Sequence, residues 1–426
     1  MDLLALLLLV VLLALIGLPI GFTLIAATVV LIAATPGGSL LVIPLRLFHG
    51  TDSFAMVAVP LFILAGSLMN SSGISARLVE FTSSLFGWVR GGLAMTTTAT
   101  SMFFSEVSGS AVADAAALGS VLIPAMRTRG YTAAFSAAVL SSSASIAIIV
   151  PPSIPMILYG SMTGTSIAKL FIAGIVPGIL VGASIMATSA IVARARGFAE
   201  REPFRLERVW TSARRAIWAL TLPIIILGGI FSGLFTATEA AAVAVVAALL
   251  IGTLQRGLSL TDLWPILRGA AQQTGVVMIL VAGSAVLGWY LANAQVPETF
   301  ERFVTSHVGG RTATLLVLNA ALLTAGMFLH STAAIVLLVP MFMPLATGIG
   351  LDPVHFGLIV TLNLAIGQQT PPVASVLMTA CSIARAPVGE VMRVNIFFVA
   401  AMLLVLMLVT FVPSVSLWLP SLLPGA

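Results

Sequence analysis

A short run of small and polar residues, Ser105 to Asp114, interrupts a long apolar stretch and has the composition of an ion-binding turn. Hydroxyl groups and freed backbone carbonyls are suitable oxygen ligands for Na⁺. Asp114 is an isolated acid in apolar surroundings, which makes it a functional candidate by default. The alternative is structural: Asp114 caps a helix, and the serines and glycine only pack. The candidates for sodium or substrate binding are Ser108, Gly109, Ser110 and Asp114.

Two proline pairs, Pro151-Pro152 and Pro371-Pro372, each follow a cluster of polar residues. Proline donates no backbone N–H, so a pair inside an apolar helix predicts an unwound stretch. Its freed carbonyls can bind a cation, and the helix that follows points its N-terminus at an anion. The alternative, a kink with packing serines, explains the crowding of polar residues at both pairs less well. The candidates are Ser142, Ser143, Pro151, Pro152 and Ser153 at the first pair, and Asn363, Gly367, Gln368, Gln369, Thr370 and Pro371 at the second.

A further polar group is predicted to be the counterpart of the first turn. Its candidate residues are Gly326, His330, Ser331 and Thr332. A lone histidine is more often a satisfied hydrogen-bonding group than a ligand, so both interpretations stay open for His330. Glu239 opens an apolar run after Thr236 and Thr238, and there we expect helix capping rather than chemistry.

The composition decides which kind of protein positions these residues. Of 426 residues, 59% are hydrophobic and 8% are charged, and the mean hydropathy is +1.15. A soluble chain carries about 25% charged residues, so we expect the bilayer to be the solvent. The apolar runs lack the alternation of barrel strands, which predicts an all-α polytopic membrane protein. Two of the predicted spans are 3–34, bent at Gly17–Pro19, and 394–423, whereas 39–53 is expected to be a connection.

The sequence also excludes several functions. It contains no G-x-x-x-x-G-K-[ST] motif, so an ATPase is not expected. No catalytic triad or metal-ligand cluster has suitable spacing, so we predict no enzyme and no cofactor.

Most of the net positive charge lies in one segment. Arg194–Arg215 holds seven Arg and three Glu, a net +4 of the chain's +5. Because this charge is local, nucleic acid is not an expected partner. The positive-inside rule places the segment in the cytoplasm, with binding of lipid headgroups as the alternative role.

The two halves of the chain repeat one pattern. A shift of 220 residues (371 − 151) places the first proline pair on the second and Gly130 on Gly350. Arg127 and Arg129 beside Gly130 have uncharged counterparts, so the positive-inside rule predicts inverted repeats. Inverted repeats with broken helices are typical of secondary transporters whose site lies near the membrane midplane. The predicted units are a first repeat, 1–193, an Arg-rich cytoplasmic linker, 194–216, and a second repeat, 217–426.

At these motifs the sequence resembles the large membrane subunit of the tripartite ATP-independent periplasmic (TRAP) transporters. The segments that carry the resemblance span almost the whole chain and are Val59–Gly66, Ser108–Asp114, Ala117–Pro124, Pro151–Ser153, Ala173–Gly178, Thr238–Val243 and Asn363–Gly367. The resemblance implies an elevator-type carrier with two re-entrant hairpins and discontinuous helices. It implies scaffold parts at 1–90 and 217–310, and transport parts at 91–193 and 311–426. It also implies that the hairpins and proline breaks bind the Na⁺ ions and the substrate.

The resemblance further implies the biological setting. Members of the family use a Na⁺ gradient to import organic anions, often carboxylates, across the bacterial inner membrane. A periplasmic substrate-binding protein delivers the substrate, and a small membrane subunit braces the scaffold; here we expect that subunit to be a separate chain. The sequence departs from the family pattern at Glu106, His330, Gln368–Gln369 and Ala374, the last of which stands where glycine is frequent. Because these residues line the expected site, the resemblance does not identify which organic anion is the substrate.

The alternative functions are a symporter that works alone and a membrane enzyme or channel. A stand-alone Na⁺/dicarboxylate symporter of the same architecture would need no binding protein. A membrane enzyme or structural channel would give no role to paired hairpins.

Overall fold

A computed structural model of the chain describes residues 9–10, 12–13, 16–35, 38–198, 203–255 and 257–422, with the backbone alone described at 106–108. Every regular element in these ranges is helical, and nine of the described helices are long and apolar enough to cross a membrane. The prediction of an all-α polytopic membrane protein is confirmed. Part of the predicted span 3–34 lies outside the described residues.

The α-helices with described bounds before the first polar turn are α1 (Ile20–Ala34), α2 (Val42–Thr51), α3 (Ala58–Ser71) and α4 (Ile74–Phe86). The predicted bend near Gly17–Pro19 is present, since Gly17 has a φ of +89° and α1 begins after Pro19. The prediction that 39–53 is only a connection was wrong, because α2 occupies most of it. This helix has 10 residues and carries Arg46 and His49, so it lacks the long apolar run that marks a span.

The first repeat continues with a helical hairpin and a broken helix. The elements in order are α5 (Gly92–Ser108), α6 (Ala111–Thr128), α7 (Ala133–Ala144), a 3₁₀ turn (Ser145–Ile148), α8 (Ile154–Thr163) and α9 (Ile167–Ala195). We call α5 and α6 hairpin 1. Gly109 ends α5 with a φ of +58°, in the left-handed region that favours glycine. The segment between the 3₁₀ turn and α8, which contains Pro151-Pro152, is the first break.

Four helices follow α9 in the described part of the chain: α10 (Leu206–Phe231), α11 (Ala237–Leu254), α12 (Leu260–Asn293) and α13 (Val296–His307). The second half of the predicted Arg-rich linker forms the first turns of α10, where Arg215 contacts Glu80 of α4 at 3.0 Å. At α11 the capping prediction is confirmed: Thr236 and Glu239 form a reciprocal capping box.

The second repeat ends with the same order of elements as the first. These elements are α14 (Gly310–Phe328), α15 (Ser331–Gly348), α16 (Pro353–Gly367), α17 (Ser375–Ala384), α18 (Val388–Phe411) and the short α19 (Ser414–Leu417). We call α14 and α15 hairpin 2, and the segment from Gln368 to Ala374 the second break. The predicted span 394–423 extended too far, because α18 ends at Phe411, two residues before Pro413.

The packing joins the two repeats. Helix α3 packs on α11, and α12 packs on α1, α2 and α3. Across the repeats, α6 and α7 pack on α17, α7 and α9 on α18, and α8 on α15. Helix α12 also contacts α15. The broken helices of both halves therefore form one buried core, with the hairpins against it.

Candidate functional site

The tip of hairpin 1 lies directly on the first break. A Cβ atom added to Gly109 would be 3.2 Å from the carbonyl oxygen of Pro152 and 3.3 Å from the backbone nitrogen of Ile154. Only glycine allows this approach without a shift of its neighbours, because both contacts are with backbone atoms. The structure thus brings together Gly109 and Pro152, two candidates from separate sequence motifs.

Asp114 links the two arms of hairpin 1. Its carboxylate is fully buried, and Asp114 Oδ2 accepts a hydrogen bond of 3.0 Å from Ser105 Oγ on the facing helix. Ser108 is the last residue of α5. Asp114 lies in the first turn of α6, where a negative charge is favourable near the helix N-terminus.

Hairpin 2 approaches the second break in a comparable way. A Cβ atom on Gly367 would be 2.5 Å from the carbonyl carbon of Gly326, so the two backbones touch. The backbone nitrogens of Val373 and Ala374 each lie 3.2 Å from the carbonyl oxygen of Met327 and donate to it. Ala374 has a φ of +45°, which explains why glycine would suit this position.

The two breaks are joined by a buried polar contact. The Ser142 hydroxyl lies 2.7 Å from Gln369 Oε1 and 3.1 Å from Asn395 Oδ1 of α18. Asn395 Nδ2 in turn donates to the backbone carbonyl of Gln369 at 2.8 Å. All three residues are fully buried.

The other polar candidates near the breaks have local partners. Ser143 Oγ is 2.9 Å from Thr98 Oγ1 of hairpin 1, and Ser153 Oγ donates to the Ile148 carbonyl at 2.8 Å. At the second break the contacts are Thr370 Oγ1 to the Ile366 carbonyl (2.8 Å), Ser375 Oγ to Gln368 Oε1 (3.3 Å) and Asn363 Nδ2 to Asn319 Oδ1 (2.7 Å).

A small cavity of about 30 Å³ lies where both hairpin tips meet the first break. We call it the central cavity. Its lining residues are Gly109, Ser110 and Ala111 of hairpin 1, Ile148 of the 3₁₀ turn before the first break, Ile154 and Pro155 of α8 after it, His330, Ser331 and Thr332 at hairpin 2, and Gln273 and Val277 of α12. The N-terminal ends of α6, α8 and α15 therefore meet at one place.

As at most of the described helices, the N-cap side chains of Ser153 and His330 accept no hydrogen bond from the first turn of α8 or α15. By contrast, the side chain of Thr132 caps α7 and that of Asp352 caps α16. Like other helix N-termini, these three ends favour a negative charge over a positive one.

The second break does not line the central cavity. Pro151, Pro152 and Ser153 are buried, whereas Pro372 and Val373 are exposed, Val373 by 48%. The candidates thus fall into two groups: hairpin 1, the first break and the start of α15 form one, and the end of α14, Gly367 and the second break form the other. Pro371 is partly buried beside the second group.

The comparison with known families decides the identity of this arrangement. A family model described as "Tripartite ATP-independent periplasmic transporter, DctM component" matches residues 6–415. The chain belongs to this TRAP transporter family.

Named relatives of this TRAP permease support the assignment. It is 37% identical over 410 residues to the sialic acid TRAP transporter large permease protein SiaM of Vibrio cholerae, covering 96% of both chains. It is 37% identical over 378 residues to the C4-dicarboxylate TRAP transporter large permease protein DctM of Pseudomonas aeruginosa, covering 88% of each. These relatives are transporter permeases, which fits the prediction that the chain is not an enzyme. Together with the nine candidate spans, they identify a multi-pass protein of the inner membrane.

The fold also resembles a solved transporter. The Alcanivorax borkumensis YdaH transporter, described as having an unusual topology, superimposes with a TM-score of 0.62 at 13% identity, covering 86% of each chain. At this identity the likeness concerns the fold alone.

Sequence reasoning missed two residues that the TRAP permease places at this site. Gln273 of α12 lines the central cavity, and Asn395 of α18 holds Gln369. Each is a polar residue inside a long apolar helix, and that signal was available in the sequence.

Proposed function

We propose that this TRAP permease couples the uptake of an organic acid to an inward Na⁺ gradient, as the large permease subunit of a tripartite transporter. The convergence of three helix N-termini on the central cavity is the observation that carries the proposal. First-turn N–H groups and the helix dipole favour an anion. The described residues that line the cavity include no lysine or arginine, so these helix ends are the positive groups available to a carboxylate.

The relatives support an organic acid as the substrate class. The named substrates of the two permeases, C4-dicarboxylates and sialic acid, share a carboxylate group. A carboxylate matches the site, because backbone N–H groups can donate to both of its oxygens.

Buried oxygen atoms beside the breaks support Na⁺ coupling. Ser141 Oγ on α7 and Asn363 Oδ1 on α16 are buried and have no hydrogen-bond partner among the described residues. An unsatisfied buried acceptor costs about 1–3 kcal/mol, which coordination of a cation would offset. Asp114 adds a buried carboxylate to hairpin 1. We therefore assign the coupling ion to the hairpins and breaks.

The packing supports a division into fixed and moving parts. The scaffold parts, 1–90 and 217–310, would stay fixed in the membrane. The transport parts, 91–193 and 311–426, would carry the substrate across it in an elevator movement. Contacts across the repeats, such as those of α7 with α17 and α18, would hold the two transport parts together as a unit. The expected partners are a small TRAP membrane subunit and a periplasmic substrate-binding protein.

The test uses the complete transporter in proteoliposomes. A thermal-shift screen of organic acids against the cognate binding protein first identifies the acid to be used. Uptake of that acid is then measured with and without the binding protein, and with and without a Na⁺ gradient. The proposal predicts uptake that needs both. Full-rate uptake without the binding protein would favour the stand-alone symporter, and Na⁺-independent uptake would contradict the coupling.

A further inference from the structure

Gln273 lies where helix α12 meets the tips of both hairpins. It lines the central cavity beside Ser110 and Thr332. It also lines a second cavity of about 60 Å³, together with Asn70 of α3 and Ala113 of hairpin 1. It is the one described residue that the linings of these two cavities share.

Gln273 lies in a polar turn of α12, between Gln272 and Thr274. It stands near the middle of a 34-residue helix whose mean hydropathy in the membrane-spanning window is 2.0. The side chain is exposed and makes no hydrogen bond to another described residue. Polar residues within the long apolar helices of membrane proteins mark binding sites and pathways by default.

We propose that Gln273 is a specificity-determining residue that hydrogen-bonds a second polar group of the organic anion. The inference rests on the proposed function and deepens it. The three helix ends would hold one carboxylate of the substrate, and the Gln273 carboxamide would reach a hydroxyl, amide or second carboxylate. A carboxamide can both donate and accept, so it suits each of these groups. Val277, one turn further along α12, lines the same cavity and offers an apolar wall.

The chain offers a matched control on the same helix. Gln272 is also an exposed glutamine of α12, but it lines neither of the two cavities. Substitution at Gln272 therefore changes the polarity of α12 without touching the proposed contact. Cys381 is the single cysteine of the sequence and is buried, which simplifies thiol labelling.

The experiment measures Na⁺-driven uptake by the reconstituted transporter of the acid that the thermal-shift screen identifies, with succinate and N-acetylneuraminate included in that screen. We expect Gln273→Leu to raise the KM of the transported acid about twofold to tenfold where the second polar group is neutral, and about tenfold or more where it is charged. Gln273→Glu should raise it further, because its carboxylate repels the anion. Gln272→Leu should leave KM within about twofold of the wild type, and the Na⁺ half-saturation concentration should stay unchanged in all three variants.

A thiol-labelling measurement tests the same contact between Gln273 and the acid, even if a variant reconstitutes poorly. In a Cys381→Ala background, we expect Gln273→Cys to react with a membrane-impermeant thiol reagent, more slowly when the transported acid is present. At Gln272→Cys the acid should have no effect on the reaction.

The outcomes separate the inference from the proposed function. Na⁺-dependent uptake by the wild type, with an unchanged KM in Gln273→Leu and no protection of Gln273→Cys, would overturn the inference alone. Failure of the wild type to take up the acid that its binding protein binds, in the presence of a Na⁺ gradient, would overturn the proposed function and the inference with it.

Discussion

Ser142 Oγ donates a hydrogen bond of 2.7 Å to Gln369 Oε1, joining residues that are 227 positions apart in the sequence. Ser142 belongs to the helix before the first break, and Gln369 lies in the second break. Because both side chains are fully buried, removal of either leaves the other without this partner in a dry environment. The two halves of the permease thus depend on each other at the place where their helices are interrupted.

Substitution Ser142→Ala should lower the free energy of unfolding by about 1–3 kcal/mol, because it leaves the Gln369 carboxamide oxygen without its donor. Ser136→Ala is the control on the same helix: Ser136 is equally buried, but its hydroxyl donates to the Thr132 carbonyl of its own helix. Chemical unfolding in detergent micelles measures both. Equal losses in the two variants would contradict a special role for the contact between the breaks.

Substitution Gly367→Ala should disrupt the contact between hairpin 2 and the second break. The added Cβ would be 2.5 Å from the carbonyl carbon of Gly326, and neither backbone segment can move away at a low cost in free energy. Overpacking of this kind costs about 1–3 kcal/mol or more. We expect less folded protein by size-exclusion chromatography and slower Na⁺-driven uptake.

The control for Gly367 is Gly228→Ala. Gly228 lies in α10, and a Cβ added there meets no atom within 4 Å. That variant should keep wild-type yield and uptake. If both variants behaved like the wild type, the close approach of Gly326 and Gly367 would have no energetic consequence.

Substitution Ala374→Gly should stabilise the permease. Ala374 has a φ of +45°, a conformation that costs a residue with a Cβ about 1–2 kcal/mol and glycine very little. The greater freedom of glycine in the unfolded chain offsets part of this gain, so we expect a net increase of about 0.5–1 kcal/mol. Ala380→Gly, in the buried face of helix α17, should have the opposite sign. A lower melting temperature for Ala374→Gly would contradict the account.

Substitution Asp114→Asn should raise the Na⁺ concentration that gives half-maximal uptake, because it removes the buried negative charge of hairpin 1. Ser110→Ala at the hairpin tip should shift it in the same direction. Ser120→Ala is the matched control, since Ser120 is an exposed residue of α6 whose hydroxyl bonds its own helix. Unchanged Na⁺ dependence in Asp114→Asn and Ser110→Ala would show that this region is structural.

Much of the architecture could be predicted because its signals are local. The proline pairs, Gly109 and Asp114 differ from the apolar residues around them, so the amino-acid sequence alone indicates the hairpins and breaks. Helix α2 was not predicted because it has only 10 residues and contains the charged residue Arg46. The end of α18 was misjudged because the apolar run continues past Pro413.

The tertiary pairing at the site could not be predicted. No local sequence pattern around Ser142 indicates that its hydrogen-bond partner is Gln369 rather than a residue of the first half of the chain. Gln273 was missed for a related reason: α12 is apolar around most of its surface, so its sequence does not reveal which face meets the hairpins. Only the packing of α12 on α15 and α3 places that face at the central cavity.

The central claim is that a Na⁺ gradient drives this permease, and initial uptake rates in proteoliposomes test it most directly. The complete transporter is reconstituted in K⁺-loaded vesicles, and uptake of the acid that its binding protein recognises is started by external Na⁺ or by external K⁺. The account predicts accumulation above the external concentration with Na⁺ and none with K⁺. Equal uptake in the two salts, or uptake that stops at equilibrium in both, would contradict it.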